Sequence, residues 1–462
     1  MLSKSLINDV LHKALCSGGD FAEIFLEDNT KNSLEMIDGK VEKAVTGRVY
    51  GVGIRIFKGF NSVYAYTNDT SRSALMDTAY KAACAIGNVK DNLSIDINLS
   101  ERVNTNIHPI IYVPSTVSNI KKIDRMREAH VGIKEYSNEV VQSIIRFVDE
   151  DQKIMIANSE GLLTSDRRIR TRMSLTSVAS NGVENQIASE GPGAMRGFEM
   201  FEAMDLRSLG SQVSKISTTM LHADACPAGN MPVVIDNAFG GVIFHEACGH
   251  SLEATAVAKG NSVFCGKMGT QIASSKVTAI DNGILPNEWG SINIDDEGTP
   301  AKNNILIENG ILKSYLVDKL NGRRMGMEST GSGRRESYKY APTSRMTNTY
   351  IAAGSDKEED IIKSVEYGLY AKKMGGGSVN PVTGAFNFAV NEGYIIKNGK
   401  IDKPVRGATL IGKGSEVLMN IDMVGKNLAH GQGVCGSASG SVPTNVGQPM
   451  IRVSEITVGG KK

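Results

Sequence analysis

No uninterrupted run of about 18 apolar residues occurs anywhere in this chain, which argues against a membrane-spanning helix. A surplus of one charge sign is lacking too: 51 lysines and arginines nearly cancel 50 aspartates and glutamates, leaving a formal charge of +1. A nucleic-acid binder needs a basic excess to displace counterions from phosphates, so that class is set aside. Lys4, Asp9, His12 and Lys13 interrupt the first apolar residues before an h-region of signal-peptide length can form, and no targeting segment is expected. The six cysteines (Cys16, Cys84, Cys226, Cys248, Cys265 and Cys435) are few and widely scattered. That pattern fits reduced thiols better than a disulfide framework, and a cytoplasmic location is expected.

What is present points to a globular enzyme-sized protein. Hydrophobic residues make up 41% and charged residues 22% of 462 residues, a length at which one hydrophobic core usually gives way to two domains. Residues 5–16 place Leu6, Ile7, Val10, Leu11, Ala14 and Leu15 on one helical face before Gly18-Gly19. Helical spacing returns over Ser71–Ile86, near Ser118–Tyr136, and through Leu206, Leu209, Val213, Ile216 and Met220. Strands are expected at Phe21–Leu26, Ser143–Val148, Ile154–Ala157 and Val233–Ile235, with hairpins at Asp38-Gly39, Lys58-Gly59, Asn309-Gly310 and Asn398-Gly399. The stretch Ala223–Pro232 reads as a linker or crossover. The expected architecture is α+β, with two mixed domains at 1–225 and 226–462 and antiparallel sheets packed by helices. The second domain is glycine-dense, with 375–384 and 431–440 read as loops.

The chemistry concentrates in His245-Glu246-Ala247-Cys248-Gly249-His250, in a segment (Val242–His250) that reads as helical. Two histidines framing a glutamate supply what a hydrolytic zinc site uses: neutral imidazoles for the metal and a carboxylate that can take a proton from water. Histidines four apart lie roughly 40° apart on a helix, but these are five apart, and a regular helix would separate them by about 140°. One ion cannot be shared across that angle. A π-bulge would bring the rings together, and Gly249 makes distortion there inexpensive. Spacing alone leaves open two unrelated histidines, one capping a helix and one in the core. A catalytic zinc normally has three protein ligands. Glu253, His430 and Cys435 are candidates for the third.

The motif, followed by Ser251-Leu252-Glu253, resembles the HExxxH signature of the TldD/PmbA family, specifically its TldD branch. The resemblance continues through 291–300, 304–327, 333–338, 345–350, 363–371, 404–412 and 433–449, dense in the second half and general in the first. It implies a zinc peptidase in which His245 and His250 bind the metal, Glu246 is the catalytic base, and Cys435 is the third ligand. It also implies a TldE/PmbA-like partner subunit, or else a homodimer, and peptides or unfolded segments as substrate. Two other readings are a peptide-binding protein that keeps zinc for structure and a metal-dependent amidase acting on small molecules. Tyr338, Arg345 and His430 are candidates by type to stabilise an oxyanion, and the spacing chooses none of them.

Other features carry blander expectations. Asp295-Asp296-Glu297-Gly298 lacks the pattern of a calcium loop and is expected to be a solvated turn. Arg168, Arg170 and Arg172 alternate along a strand and are expected on an exposed face. Gly412–Ser415 lacks the glycine spacing of a phosphate loop. Cys226 and Cys265 are expected to pack quietly, and Cys248 need not face the metal.

Overall fold

The computed structural model describes residues 2–88, 96–380 and 382–460. Its four longest helices begin where capping chemistry directs. Ser3, Ser71, Ser118 and Asp205 each accept a hydrogen bond from the backbone N–H three residues on, which satisfies an otherwise unpaired donor of the first turn. The four helices so started are Lys4–Leu15, Arg72–Ile86, Asn119–Lys134 and Leu206–Leu221.

These helices cover an antiparallel sheet with central order Asn61–Thr67, Lys40–Lys58, Phe21–Ile37, Val140–Asn158, Leu162–Ser180. The strands are longer than expected. Phe21–Leu26 continues to Ile37, and the two short strands read near 143–157 are one strand, Val140–Asn158. Polar residues that break the apolar pattern, such as Asp149, Glu150 and Gln152, sit mid-strand because they meet partners across the sheet face.

The two-residue period of Phe21–Ile37 explains how the halves join. Ala22, Ile24 and Leu26 point toward the helices of the first half, and the alternate residues Glu23, Phe25 and Glu27 meet the second half. The second face is therefore covered. Arg168 and Arg170, expected to be solvated, are 4% and 3% exposed. The 295–297 turn is likewise buried rather than solvated, with Asp295, Asp296 and Glu297 at 0%, 2% and 2% exposure. Arg168 pairs with Asp296 at 2.7 Å, Arg55 with Glu297 at 2.7 Å and with Glu23 at 2.8 Å, and Arg335 with Glu23 at 2.7 Å. The Asp295 carboxylate instead accepts the N–H groups of Glu297, Thr299 and Gly333, and shapes the turn from within.

Two large sheets dominate the second half, beside a small pairing of Gly333–Arg334 with Thr343–Ser344. In one, Tyr367–Val379, Gly229–Ile235, Ile451–Gly459, Thr409–Lys413 and Ala385–Lys397 pair in sequence, and the last pairs again with the first, closing a ring. Gly229–Ile235 shows that most of the expected linker's C-terminal end is strand. The other sheet runs Ile311–Leu312, Asn303–Glu308, Ala279–Asn282, Asn348–Ile351, Gly440–Gln448, Ala429–Ser437. The largest apolar cluster fills this half and includes Val233, Ile243, Phe244, Leu369, Phe388 and Ile451. Helices, antiparallel sheets and a few parallel pairings make the fold α+β, as expected.

Because Arg168 and Asp296 are both buried, removing the Asp296 charge leaves Arg168 with only the longer pair to Asp166 at 3.4 Å. Asp296→Asn is expected to destabilise the protein by about 3–5 kcal/mol, read as a lower urea midpoint with an unchanged slope. An unchanged midpoint would show that the pair contributes nothing net.

Candidate metal centre

Val242–Ala247 is a short α-helix anchored by Ile243, Phe244 and Ala247 in the core. His245 lies among them at 3% exposure. At Cys248 the backbone leaves helical geometry (φ −131°, ψ −47°), and a 3₁₀ turn over Gly249–Leu252 carries His250. The expected π-bulge is thus replaced by a break, which solves the same angular problem. The two imidazoles stand edge to face with centroids 5.0 Å apart. Gly249 is needed for space: a Cβ there would come within 2.3 Å of Met346 Sδ.

The glycine-rich run at 431–440 belongs to a hairpin, Ala429–Ser437 with Gly440–Gln448, in which Cys435 faces Val442. Its Sγ lies 3.3 Å from His245 Nε2 and 3.3 Å from His250 Nε2. The three candidate ligand atoms are all within 4.8 Å of one another. A tetrahedral zinc with usual bond lengths would hold nitrogen and sulfur about 3.5 Å apart, so the donors fit such an ion. Burial by itself would raise the Cys435 thiol, but the adjacent His245 and His250 imidazoles outweigh it and bring the pKa down to about 4. The sulfur is held as thiolate, the form that binds metal.

The other motif residues take distinct positions. Glu246, half-buried, places Oε2 3.8 Å from His250 Nε2 and stands beside the three-atom cluster, outside it. Glu253 places Oε2 3.2 Å from His250 Nδ1, the ring's far nitrogen. Burial opposes the charged imidazolium of His250, yet the Glu253 carboxylate and the Cys435 sulfur outweigh it and hold the pKa well above its ordinary value. Cys248 points into the core, and burial pushes its thiol up.

The remaining candidates are engaged elsewhere. His430 is on the Cys435 strand but outside the cluster, packed edge-on against Tyr350 at 5.2 Å, with Nδ1 4.0 Å from Glu288. Tyr338 is packed against Tyr66 and shares a cluster with Phe25 and Ile294. Arg345, fully buried, donates to the carbonyls of Cys435 and Gly440 and to Ser439 Oγ, with Nε 3.9 Å from Glu253. One guanidinium therefore links the Cys435 hairpin to Glu253, the residue that follows the His250 turn. Its residue type marks Arg345 only as a candidate oxyanion donor; its grip on a hairpin 90 residues away leaves no local signal. The Glu253 contact did leave one, since residues three apart share a helical face.

The same chain matches three family descriptions in order: "PmbA/TldA metallopeptidase domain 1" at 22–86, the "central domain" at 112–221 and the "C-terminal domain" at 228–460. It belongs to the PmbA/TldD metallopeptidase family. A metalloprotease TldD homolog of Buchnera aphidicola is 34% identical, covering 100% of this chain and 98% of that protein. Another, from Haemophilus influenzae, is 36% identical over 96% of this chain and 93% of that protein. A relative from Saccharolobus solfataricus, named a zinc metalloprotease TldD homolog, is 26% identical over 97% and 99%. Among solved structures, TldE from Thermococcus kodakarensis superposes with a TM-score of 0.77 at 19% identity, covering 98% of this chain and 100% of that one. That likeness establishes the shared PmbA/TldD fold. Among the described residues of this family member, no helix is long and apolar enough to cross a membrane.

A carboxylate on the far nitrogen of a ligating imidazole fixes its tautomer and orientation, and losing it typically weakens metal affinity 10–100-fold. Glu253→Gln is expected to lower zinc affinity by about that factor in chelator competition. Unchanged affinity would show that Glu253 does not orient His250.

Proposed function

We propose that this PmbA/TldD member is a zinc-dependent peptidase of the TldD type, acting on peptides or unfolded polypeptide segments. The observation that carries the reading is the convergence of His245 Nε2, His250 Nε2 and Cys435 Sγ, with the Glu246 carboxylate alongside. In this reading the three converging residues hold zinc and Glu246 is the base. The chemistry sits in the 226–462 domain, and 1–225 forms the other domain. A zinc ion held there would polarise the scissile carbonyl and lower the pKa of water. Glu246 takes the proton of the attacking water and returns it to the departing amine. The Arg345 and Glu253 contacts keep the hairpin and the motif in register while that transfer occurs.

Three protein donors rather than four, with a carboxylate beside them, favour catalysis over the alternative of a peptide-binding protein with structural zinc. Recognition is proposed to use Ala429–Ser437, which ends the six-stranded sheet and carries Cys435. An extended peptide can add to such an edge through main-chain hydrogen bonds. That mode suits peptides better than small amides, the third reading. The TldE fold likeness supports a TldE/PmbA-like partner, with a homodimer as the other arrangement. Nearly balanced charge supports a protein working without nucleic acid, and the scattered free thiols support the cytoplasm.

Two measurements test this reading. Glu246→Gln keeps the shape but cannot shuttle a proton, so peptide hydrolysis is expected to fall about 10²–10⁴-fold with zinc content unchanged. Loss of zinc would make Glu246 a ligand, and retained activity would put the base elsewhere. Edge recognition requires an extended chain, so a compact protein is expected to resist cleavage while its denatured form is digested. Equal rates for the two forms would defeat it.

A further inference from the structure

A cavity of about 240 Å³ lies between the first-half sheet and the far face of the Cys435 hairpin. Arg168, Arg170, Arg334, Arg335 and Lys31 line it together with Glu150, Asp296 and Glu336, and Val434 and Pro443 border it from the hairpin. Two of these arginines are accounted for by carboxylates: Arg335 meets Glu23 at 2.7 Å and Arg168 meets Asp296 at 2.7 Å. The other two lean mainly on carbonyls. Arg170 donates to the carbonyls of Trp289 and Ser291, with a longer ion pair to Glu150 at 3.6 Å. Arg334, 3% exposed, donates to the carbonyls of Met346 at 2.5 Å and Pro443 at 2.8 Å. Among the described residues, no ion pair within 4.0 Å reaches it.

Burying an unpaired guanidinium is costly, and carbonyl dipoles offset only part of that cost. The nearby Asp296 attracts Arg334 but spends its oxygens on Arg168 and the Arg335 N–H. Burial, with repulsion from Arg170, Arg168 and Arg345, brings Arg334 down to about 9. A second anion in the cavity would relieve this, and guanidinium groups match the two oxygens of a carboxylate. The cavity is also placed to receive one. Val434, exposed and adjacent to Cys435, forms part of its border. A chain laid along the edge strand would pass its mouth about one residue from the ligand cysteine.

We propose that the Arg334–Arg170 cavity binds a carboxylate of the peptide substrate close to the scissile bond, either an aspartate or glutamate side chain or the peptide's own C-terminus. The proposal rests on the peptidase reading and deepens it: this member prefers acidic over neutral unfolded peptides.

The test uses binding, so that it does not depend on turnover. Three flexible decapeptides share one sequence: a neutral C-terminal amide, the same peptide with a free C-terminal carboxylate, and the amide with a single aspartate. Calorimetric titration of the full-length zinc-loaded Glu246→Gln protein is expected to show at least one carboxylate peptide binding about 10–100-fold more tightly than the neutral amide, the usual worth of a charged hydrogen-bonded pair. Which peptide gains identifies the source of the carboxylate. Adding Arg334→Met is expected to collapse the ratio below about twofold. Should that variant fail to fold, Arg334→Lys, which keeps the charge and loses the fork, is expected to shrink the ratio without abolishing it. Equal dissociation constants for all three peptides, no binding of any, or a ratio that survives Arg334→Met would each overturn the proposal. The peptidase reading is scored separately, by cleavage of the neutral amide by the parent protein. Cleavage without preference removes the cavity's role alone, and preference without cleavage removes the peptidase reading alone.

Discussion

Everything at the candidate centre depends on the chain leaving α-helical dihedral angles at Cys248, even though its N–H still bonds Phe244 and its carbonyl Leu252. A helix carried through to residue 250 would turn the second imidazole away from the first. With the break, His250 moves onto a 3₁₀ turn, its Nε2 reaches Cys435, and its Nδ1 reaches Glu253. The break is held by its surroundings. Met346 lies where a side chain at 249 would go, and Gly414 sits so close to Ala247 that a Cβ would fall 1.9 Å from its carbonyl oxygen. Two glycines distant in sequence thus make room for one short, interrupted helix.

The hairpin that brings Cys435 is fastened from outside the centre by side chains donating to its carbonyls. Arg172 reaches Gln432, Trp289 reaches Gly433, Arg334 reaches Pro443, and Arg345 reaches Cys435. An edge strand is normally free to shift register or add a neighbour. Here the anchors fix where the thiolate sits while one strand of the sheet remains terminal. The first-half sheet contributes to this fastening through Arg172, which makes the joint between the halves part of the centre's support.

Much of the local structure was legible because its causes are local. Ser71 and Ser118 start helices by accepting nearby N–H groups, and Asp38-Gly39 and Asn398-Gly399 turn with positive φ at both residues. The motif could be found, and chemistry plus family resemblance indicated Cys435. What could not be read was long-range. The alternation of Arg168 and Arg170 looks the same whether the face meets water or buried carboxylates 128 residues away. The acidic 295–297 turn reads as surface for the same reason: composition records charge, and its neutralising partners come from distant strands. The glycine-rich 431–440 run resembles a loop because strand formation there depends on its neighbour, with little β propensity of its own.

The distance in sequence between the donors also has a meaning in time. His245 and Cys435 are separated by 190 residues, which ribosomes traverse in roughly 10–40 s at ordinary elongation rates. During that interval the emerging polypeptide has both imidazoles and the carboxylate but no thiolate to complete the set. The ring of strands around the motif also stays open until Ile451–Gly459 has been made. Hydrolytic capacity on the proposed reading is therefore withheld from a half-made molecule, whose own unfolded segments would be its most accessible substrates.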